Sequence, residues 1–252
     1  MGTFDGQCAI VTGASGLLGF AAARRLAEAG ARVVMADCHA TAETAAKIAD
    51  LGLEAFPHVV DVIDERSIAL LVEAVVDRFG RIDILVNCAG IANTLVPAPF
   101  EAIPPEQWHR LYDVNVVGMI RACAAVSCHM RKARSGRIIN LASGLAYKAS
   151  VGLIHYIATK GAVISVTRAL ASEFAPDNVL VNAVSPGFTS PDNAINFDEL
   201  VERFPAASPA NRLIKRHAEP ADVANVIAFL ASADAGFMTG QVIAADGGSV
   251  FI

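Results

Sequence analysis

Short apolar runs rich in β-branched residues alternate along this chain with longer stretches of helical periodicity. The runs Gln7–Thr12, Arg32–Ala36, Glu54–Val60, Ile82–Asn87, Arg137–Leu141, Asn178–Val184 and Gln241–Ala244 have the length and composition of strands. Between them, Leu17–Ala29, Thr41–Leu51, Asp64–Phe79, Glu106–Arg131, Leu153–Phe174 and Glu219–Ala231 repeat apolar residues at helical spacing, with Asp64, Pro105 and Pro220 near their starts. Strands apolar along their whole length, each followed by a helix, must be covered on both faces. The pattern therefore predicts an α/β fold, a Rossmann-type doubly wound parallel sheet of about seven strands. Ligands bind such sheets beyond the carboxyl ends of the strands, so residues at those ends are the first candidates for function.

One stretch interrupts the alternation. From Phe188 to His217 the chain carries Pro191, Pro205 and Pro209 and no strand pattern, which is long for a connection that covers nothing. Two readings stand equally: a substrate lid around 188–217, with Phe188, Ile195, Phe197, Leu200 and Phe204 excluding water, or a short helix packed on the body.

Composition narrows the class. No linker or charge run divides the 252 residues, which predicts a single domain over 1–252. The chain is 54% hydrophobic with a mean hydropathy of +0.47. Charged residues nevertheless interrupt each apolar run before about 18 residues, so no membrane span is expected. The start, Met1 to Gly6, shows no basic region or apolar signal core, and the expectation is a soluble, cytoplasmic protein. A net charge of −5 without a basic stripe argues against a nucleic-acid partner. Cys8, Cys38, Cys88, Cys123 and Cys128 form no Cys-x-x-Cys pair and read as reduced thiols, mostly core filler. The six histidines show no metal-ligand spacing, so no metal is expected. His155 would point about 100° around its helix from Tyr156, which favours a surface or interface position over the substrate pocket.

The first strand runs directly into Gly13, Ser15, Gly16, Leu17, Leu18 and Gly19 and then into a helix. Glycines there let the backbone approach a pyrophosphate, whose charge is favoured by the free amides and dipole of the helix start. Asp37 ends the second strand 18 residues beyond Gly19, where a carboxylate can accept hydrogen bonds from the adenosine ribose. It would repel a 2′-phosphate, and no fixed positive charge lies at Ser15, Gly16, Cys38 or His39, so the cofactor is read as NAD. A second constellation is Tyr156 and Lys160, four apart on a helix, with Ser143 at the end of the strand-like run from Arg137. Read chemically, Lys160 lowers the pKa of the Tyr156 phenol, and Ser143 hydrogen-bonds the oxygen that gains or loses the proton. Read structurally, the pair is a solvated helix pair and Ser143 caps a helix. Asp61 and Val62, the turn of Asn87, Ala89 and Gly90, Asn115, and Pro186-Gly187 also fall at strand ends or in the adjoining helix.

Taken in order, these landmarks resemble the short-chain dehydrogenase/reductase family nearly end to end. They are Thr12 to Gly19, Asn87-Cys-Ala-Gly90, Asp113-Val-Asn115, Ser143, Tyr156-x-x-x-Lys160, Asn182-Ala-Val-Ser-Pro-Gly187 and Met238 to Gly248. The resemblance implies a catalytic tetrad of Asn115, Ser143, Tyr156 and Lys160, with Asn115 holding a water-linked proton relay and Lys160 also binding the nicotinamide ribose. It implies NAD-dependent hydride transfer between the cofactor and a secondary alcohol or ketone, and a homotetramer built partly on the helix Leu153–Phe174. Two positions depart from the family pattern. Leu17 stands where a glycine is common, giving the Gly13-x-x-Gly16-x-x-Gly19 spacing of the epimerase-like branch. Pro191 stands where a threonine would grip the carboxamide, which leaves Thr189 or Ser190 for that task, with Thr189 slightly favoured. Two alternatives remain: a catalytically silent nicotinamide-binding regulatory protein, or an epimerase or dehydratase that cycles hydride internally.

Overall fold

The computed structural model describes residues 2–39, 41–92, 94–148, 150–189 and 208–252. Seven strands, β1 (Cys8–Thr12), β2 (Arg32–Asp37), β3 (Ala55–Val59), β4 (Ile84–Asn87), β5 (Gly136–Leu141), β6 (Val179–Pro186) and β7 (Val242–Ala245), form one sheet in the order β3-β2-β1-β4-β5-β6-β7. Every pairing is parallel. The order reverses between β1 and β4, which opens a crevice at their carboxyl ends.

Strand alternation divides the core into two layers. Ala9 and Val11 of β1 face α1 (Leu17–Glu28), α2 (Thr41–Ala49) and a late helix, α8 (Pro220–Ala231), where they pack with Leu26, Ile48, Val223 and Ile227. Cys8 and Ile10 face the other way, toward α3 (Glu65–Phe79), α5 (Met119–Ala133) and α7 (Ile154–Phe174), and meet Ile68, Val126, Val163 and Phe174. Because β1, β4 and β6 are buried along their whole length, their apolar runs are continuous rather than alternating. Pro57 is accommodated in β3 because this edge strand pairs with β2 alone.

Local signals set the boundaries. The Asp64 carboxylate accepts the Arg66 amide at 2.9 Å to cap α3, which ends at Gly80 in the left-handed region at φ 71°. Glu219 and Asp222 form a reciprocal capping box around Pro220 at the start of α8.

The sequence predicts one uninterrupted helix over Glu106–Arg131, and the structure corrects this. α4 (Pro105–Tyr112) passes into a π-helical turn, Asp113–Gly118, before α5 begins. The wider turn brings Asn115 inside, where it is 2% exposed, and seats Gly118 so closely on Val62 that a Cβ would lie 2.8 Å from its Cγ2. The composite run Pro105–Ala133 is long and apolar enough to cross a membrane by composition. Here it is a core element, with Leu111, Val116, Met119, Val126 and Met130 buried. A short helix that periodicity did not anticipate, α6 (Leu145–Lys148), follows β5. Of the expected lid, residues 190–207, including Ser190, lie outside the described residues.

Candidate active site

The first turn of α1 is shaped to receive an anion. Gly13 has φ 65°, and a Cβ there would stand 2.6 Å from the Ala89 nitrogen; one on Gly19 would stand 2.1 Å from the Gly13 carbonyl. No side chain fits at either position, so the backbone of the turn lies bare. Gly16 caps α1 without a side-chain bond, leaving the amides of Leu17 and Leu18 with no partner inside the helix. These features fit a dinucleotide pyrophosphate. Asp37 reaches the same loop: its carboxylate accepts the Ser15 amide at 2.9 Å and the His39 amide at 3.1 Å. The Ser15 hydroxyl donates to the His39 carbonyl at 2.8 Å. The acid at the end of β2 and the glycine turn after β1 thus form one unit, with carboxylate lone pairs left for ribose hydroxyls.

Further along the crevice, Asp61 lies exposed beyond β3, with Val62 buried behind it against Gly118. Beyond β4, Ala89 donates its amide to the Thr12 hydroxyl at 3.3 Å, and Gly90 lies beside Lys160, since a Cβ on it would be 3.8 Å from Nζ. Asn87 sits deeper. Its amide donates to Asn140 at 2.9 Å and to the Cys123 sulfur at 3.3 Å, pairing β4 with β5 beneath the turn, while its own buried oxygen has no partner. Pro186 and Gly187 close the far side. The Pro186 carbonyl accepts the Gly144 amide at 3.1 Å, which fastens the residue after Ser143 to the end of β6. The Thr189 hydroxyl donates to the Gly187 carbonyl at 3.1 Å.

Ser143, Tyr156 and Lys160 converge at the centre, each under a tenth exposed. Burial pushes the Tyr156 phenol above its ordinary pKa, and the neighbouring Ser143 hydroxyl acts in the opposite direction. The expectation that Lys160 acidifies the phenol is therefore corrected. The ammonium donates to the Leu141 carbonyl at 2.7 Å and stands 5.8 Å from the centroid of the tyrosine ring, so desolvation dominates the phenol. Burial also lowers Lys160 itself, to about 8. The solvated-pair reading fails on this burial. The capping reading fits, because the Ser143 oxygen accepts the Leu145 amide at 3.3 Å to start α6.

Asn115 is fully engaged. Its Oδ1 accepts the Ile91 amide at 2.7 Å, and its Nδ2 donates to the Ile91 carbonyl and to the Thr159 hydroxyl, both at 3.2 Å. His155 is corrected from a surface or interface position. It is 1% exposed, packs its ring 6.0 Å from that of Trp108, and has neither ring nitrogen hydrogen-bonded. An aliphatic wall of Leu111, Leu153, Ile91, Leu95, Leu145 and Ile157 surrounds Tyr156. Sequence reasoning missed Thr159 and Asp246 as site supports. The only signal for Thr159 was a hydroxyl one residue before Lys160 on the inward face of the helix. Near the centre, burial pushes the Cys88 thiol up to about 12.

Residues 13–250 match a family model described as enoyl-(acyl carrier protein) reductase. The short-chain reductase protein NovJ of Streptomyces niveus is 35% identical over 249 residues, covering 95% of this chain and 92% of that one. A 3-oxoacyl-(acyl-carrier-protein) reductase of Vibrio cholerae is 38% identical, covering 98% and 99%. The cis-4-hydroxycyclohexanecarboxylate dehydrogenase of Sinomonas cyclohexanicum is 36% identical, covering 97% of each. The crystal structure of an NAD+-bound xylitol dehydrogenase superposes with a TM-score of 0.90 at 33% identity, covering 97% and 99%.

Proposed function

The chain belongs to the short-chain dehydrogenase/reductase family of oxidoreductases, and from that premise we propose that it is an NAD(H)-dependent enzyme interconverting a secondary alcohol and a ketone. The observation that carries this reading is the burial of Ser143, Tyr156 and Lys160 together, with the Lys160 ammonium 5.8 Å from the centre of the tyrosine ring.

NAD would be held by the turn of Gly13, Ser15, Gly16, Leu17, Leu18 and Gly19, by Asp37, by Asp61 and Val62, by the strand end from Asn87 through Ala89 and Gly90, and by Pro186, Gly187 and Thr189. Tyr156 and Lys160 would meet its nicotinamide end. When bound, the nicotinamide supplies the hydride acceptor or donor. The residues of this chain do the rest. Ser143 and Tyr156 hold the reacting oxygen, and Tyr156 passes a proton to it in reduction or takes one from it in oxidation. Burial keeps the phenol protonated at neutral pH, which readies Tyr156 to act as the acid in ketone reduction. Lys160 offers an N–H to the ribose, while Asn115 braces the Ile91 backbone next to Gly90. The aliphatic wall excludes water from the transfer.

The exposed or half-buried flank of α7, with Ile154, Ile157, Ala158 and Ala162, supports a homotetramer, and the protein is read as cytoplasmic. Family relatives include both reductases and dehydrogenases, which agrees with reversible chemistry.

The test is a spectrophotometric scan of secondary alcohols with NAD+ and NADP+. NAD+ should be preferred by at least about tenfold in kcat/KM, because a carboxylate opposes the 2′-phosphate. Tyr156→Phe should lower turnover about 100-fold or more with NADH binding nearly intact. Preference for NADP+, or full turnover by the phenylalanine variant, would overturn the corresponding assignment. NADH binding without net NADH production from any alcohol would point to the silent or internally cycling alternatives.

A further inference from the structure

Thr159 occupies the turn of α7 between Tyr156 and Lys160 and is 0% exposed. Its hydroxyl donates to the Tyr156 carbonyl at 2.7 Å. A hydroxyl has one proton, so the oxygen meets the Asn115 amide at 3.2 Å as an acceptor. Every proton of that amide is thereby placed: one N–H goes to Thr159, the other to the Ile91 carbonyl, and Oδ1 takes the Ile91 N–H. Thr167, two turns further along α7, makes the same bond back to its own helix, to Val163 at 2.7 Å. Thr167 also accepts the Asn140 amide at 2.9 Å and so ties α7 to β5, whereas the Thr159 hydroxyl ties α7 to the π-helical turn and, through Asn115, to the chain leaving β4.

The link runs beside the reacting centre. A Cβ on Gly90, the neighbour of Ile91, would be 3.2 Å from Asn115 Oδ1 and 3.8 Å from Lys160 Nζ. The position of Gly90-Ile91 relative to Tyr156 and Lys160 thus depends on a clasp whose third point is one buried hydroxyl. Without it, the amide keeps only the Ile91 backbone, and α7 is held against that turn by packing alone.

We propose that Thr159 is a positioning residue for the oxidoreductase reaction, holding the catalytic face of α7 in register with the Gly90-Ile91 turn through Asn115; this rests on the reading of Tyr156 and Lys160 given above. Thr159→Val keeps the shape and removes the hydroxyl; Thr159→Ser keeps the hydroxyl and trims a methyl group. The valine variant should lose about tenfold or more in kcat, since small misplacements near reacting atoms are amplified in rate, with NADH binding within about threefold of wild type. The serine variant should stay within about threefold on both measures. A second readout does not need turnover: the Ile91 amide, whose bond to Asn115 the clasp protects, should exchange with deuterium at least about tenfold faster in the valine variant and at the wild-type rate in the serine variant. Wild-type kcat and wild-type Ile91 exchange in folded Thr159→Val would overturn the proposal, as would a serine variant as impaired as valine. Should valine prevent folding, Thr159→Cys, a weaker acceptor of similar size, should show the same losses in smaller degree, and wild-type behaviour there overturns the proposal. If wild type turns over no alcohol or ketone, the functional reading fails, while Ile91 exchange still decides whether the clasp exists.

Discussion

His155 and Tyr156 are adjacent residues with opposite solutions to burial. The phenol lies beside the Ser143 hydroxyl, whereas the imidazole packs on the ring of Trp108 and leaves both nitrogens unbonded. Desolvation lowers the His155 pKa from its ordinary value. A histidine shifted down in the folded state contributes stability above its unfolded pKa and loses it as pH falls through the folded one. Acidification from pH 7 to 5 should therefore lower the Tm of wild type more than that of His155→Leu, and equal shifts in a thermal melt would contradict this. At this scale, residue types with an obligate chemistry were legible in advance: Tyr156, Lys160, Ser143, Asp37 and the three glycines all lie in the crevice. The protonation balance of Tyr156 was not, because a pKa depends on how much water the rest of the fold removes, and spacing along one helix carries no information about that.

Elements were legible where a signal lies within a few residues. Asp64 was read as a helix start and does cap α3. Asp64→Ala should cost about 1 kcal/mol, seen as a Tm lower by roughly 2–4 °C for a chain of this length, with turnover unchanged. A melt identical to wild type would show the cap to be idle. The boundary between α4 and α5 was illegible. Apolar periodicity continues through Asp113–Gly118, and the π-helical turn arises because Asn115 has distant partners in Ile91 and Thr159, and Gly118 must admit Val62. α6 was missed for a related reason: four residues carry no period, and the helix begins because Ser143 supplies its cap.

The whole molecule is closed by its tail. Asp246, 3% exposed, accepts the amides of Gly248 at 3.0 Å, Ser249 at 3.1 Å and Val250 at 2.9 Å. The Gly247 carbonyl takes the Leu213 and Ile214 amides, and Lys148 of α6 bonds Ser249, so the tail fastens α6 and the segment before α8 to the end of β7. Asp246→Ala strands three amides around a buried site and should destabilise by roughly 2–3 kcal/mol, read as a lower urea midpoint at unchanged slope. Retention of the wild-type midpoint would remove Asp246 from this role. The parallel sheet, its two-sided burial and the order of its elements follow from local pattern, since strand runs and glycine turns act on neighbouring residues. Which hydroxyl braces Asn115, how far burial raises a phenol and where the tail docks depend on groups dozens of residues apart; those outcomes belong to packing, because desolvation and hydrogen-bond pairing are set by the residues that folding brings together in space.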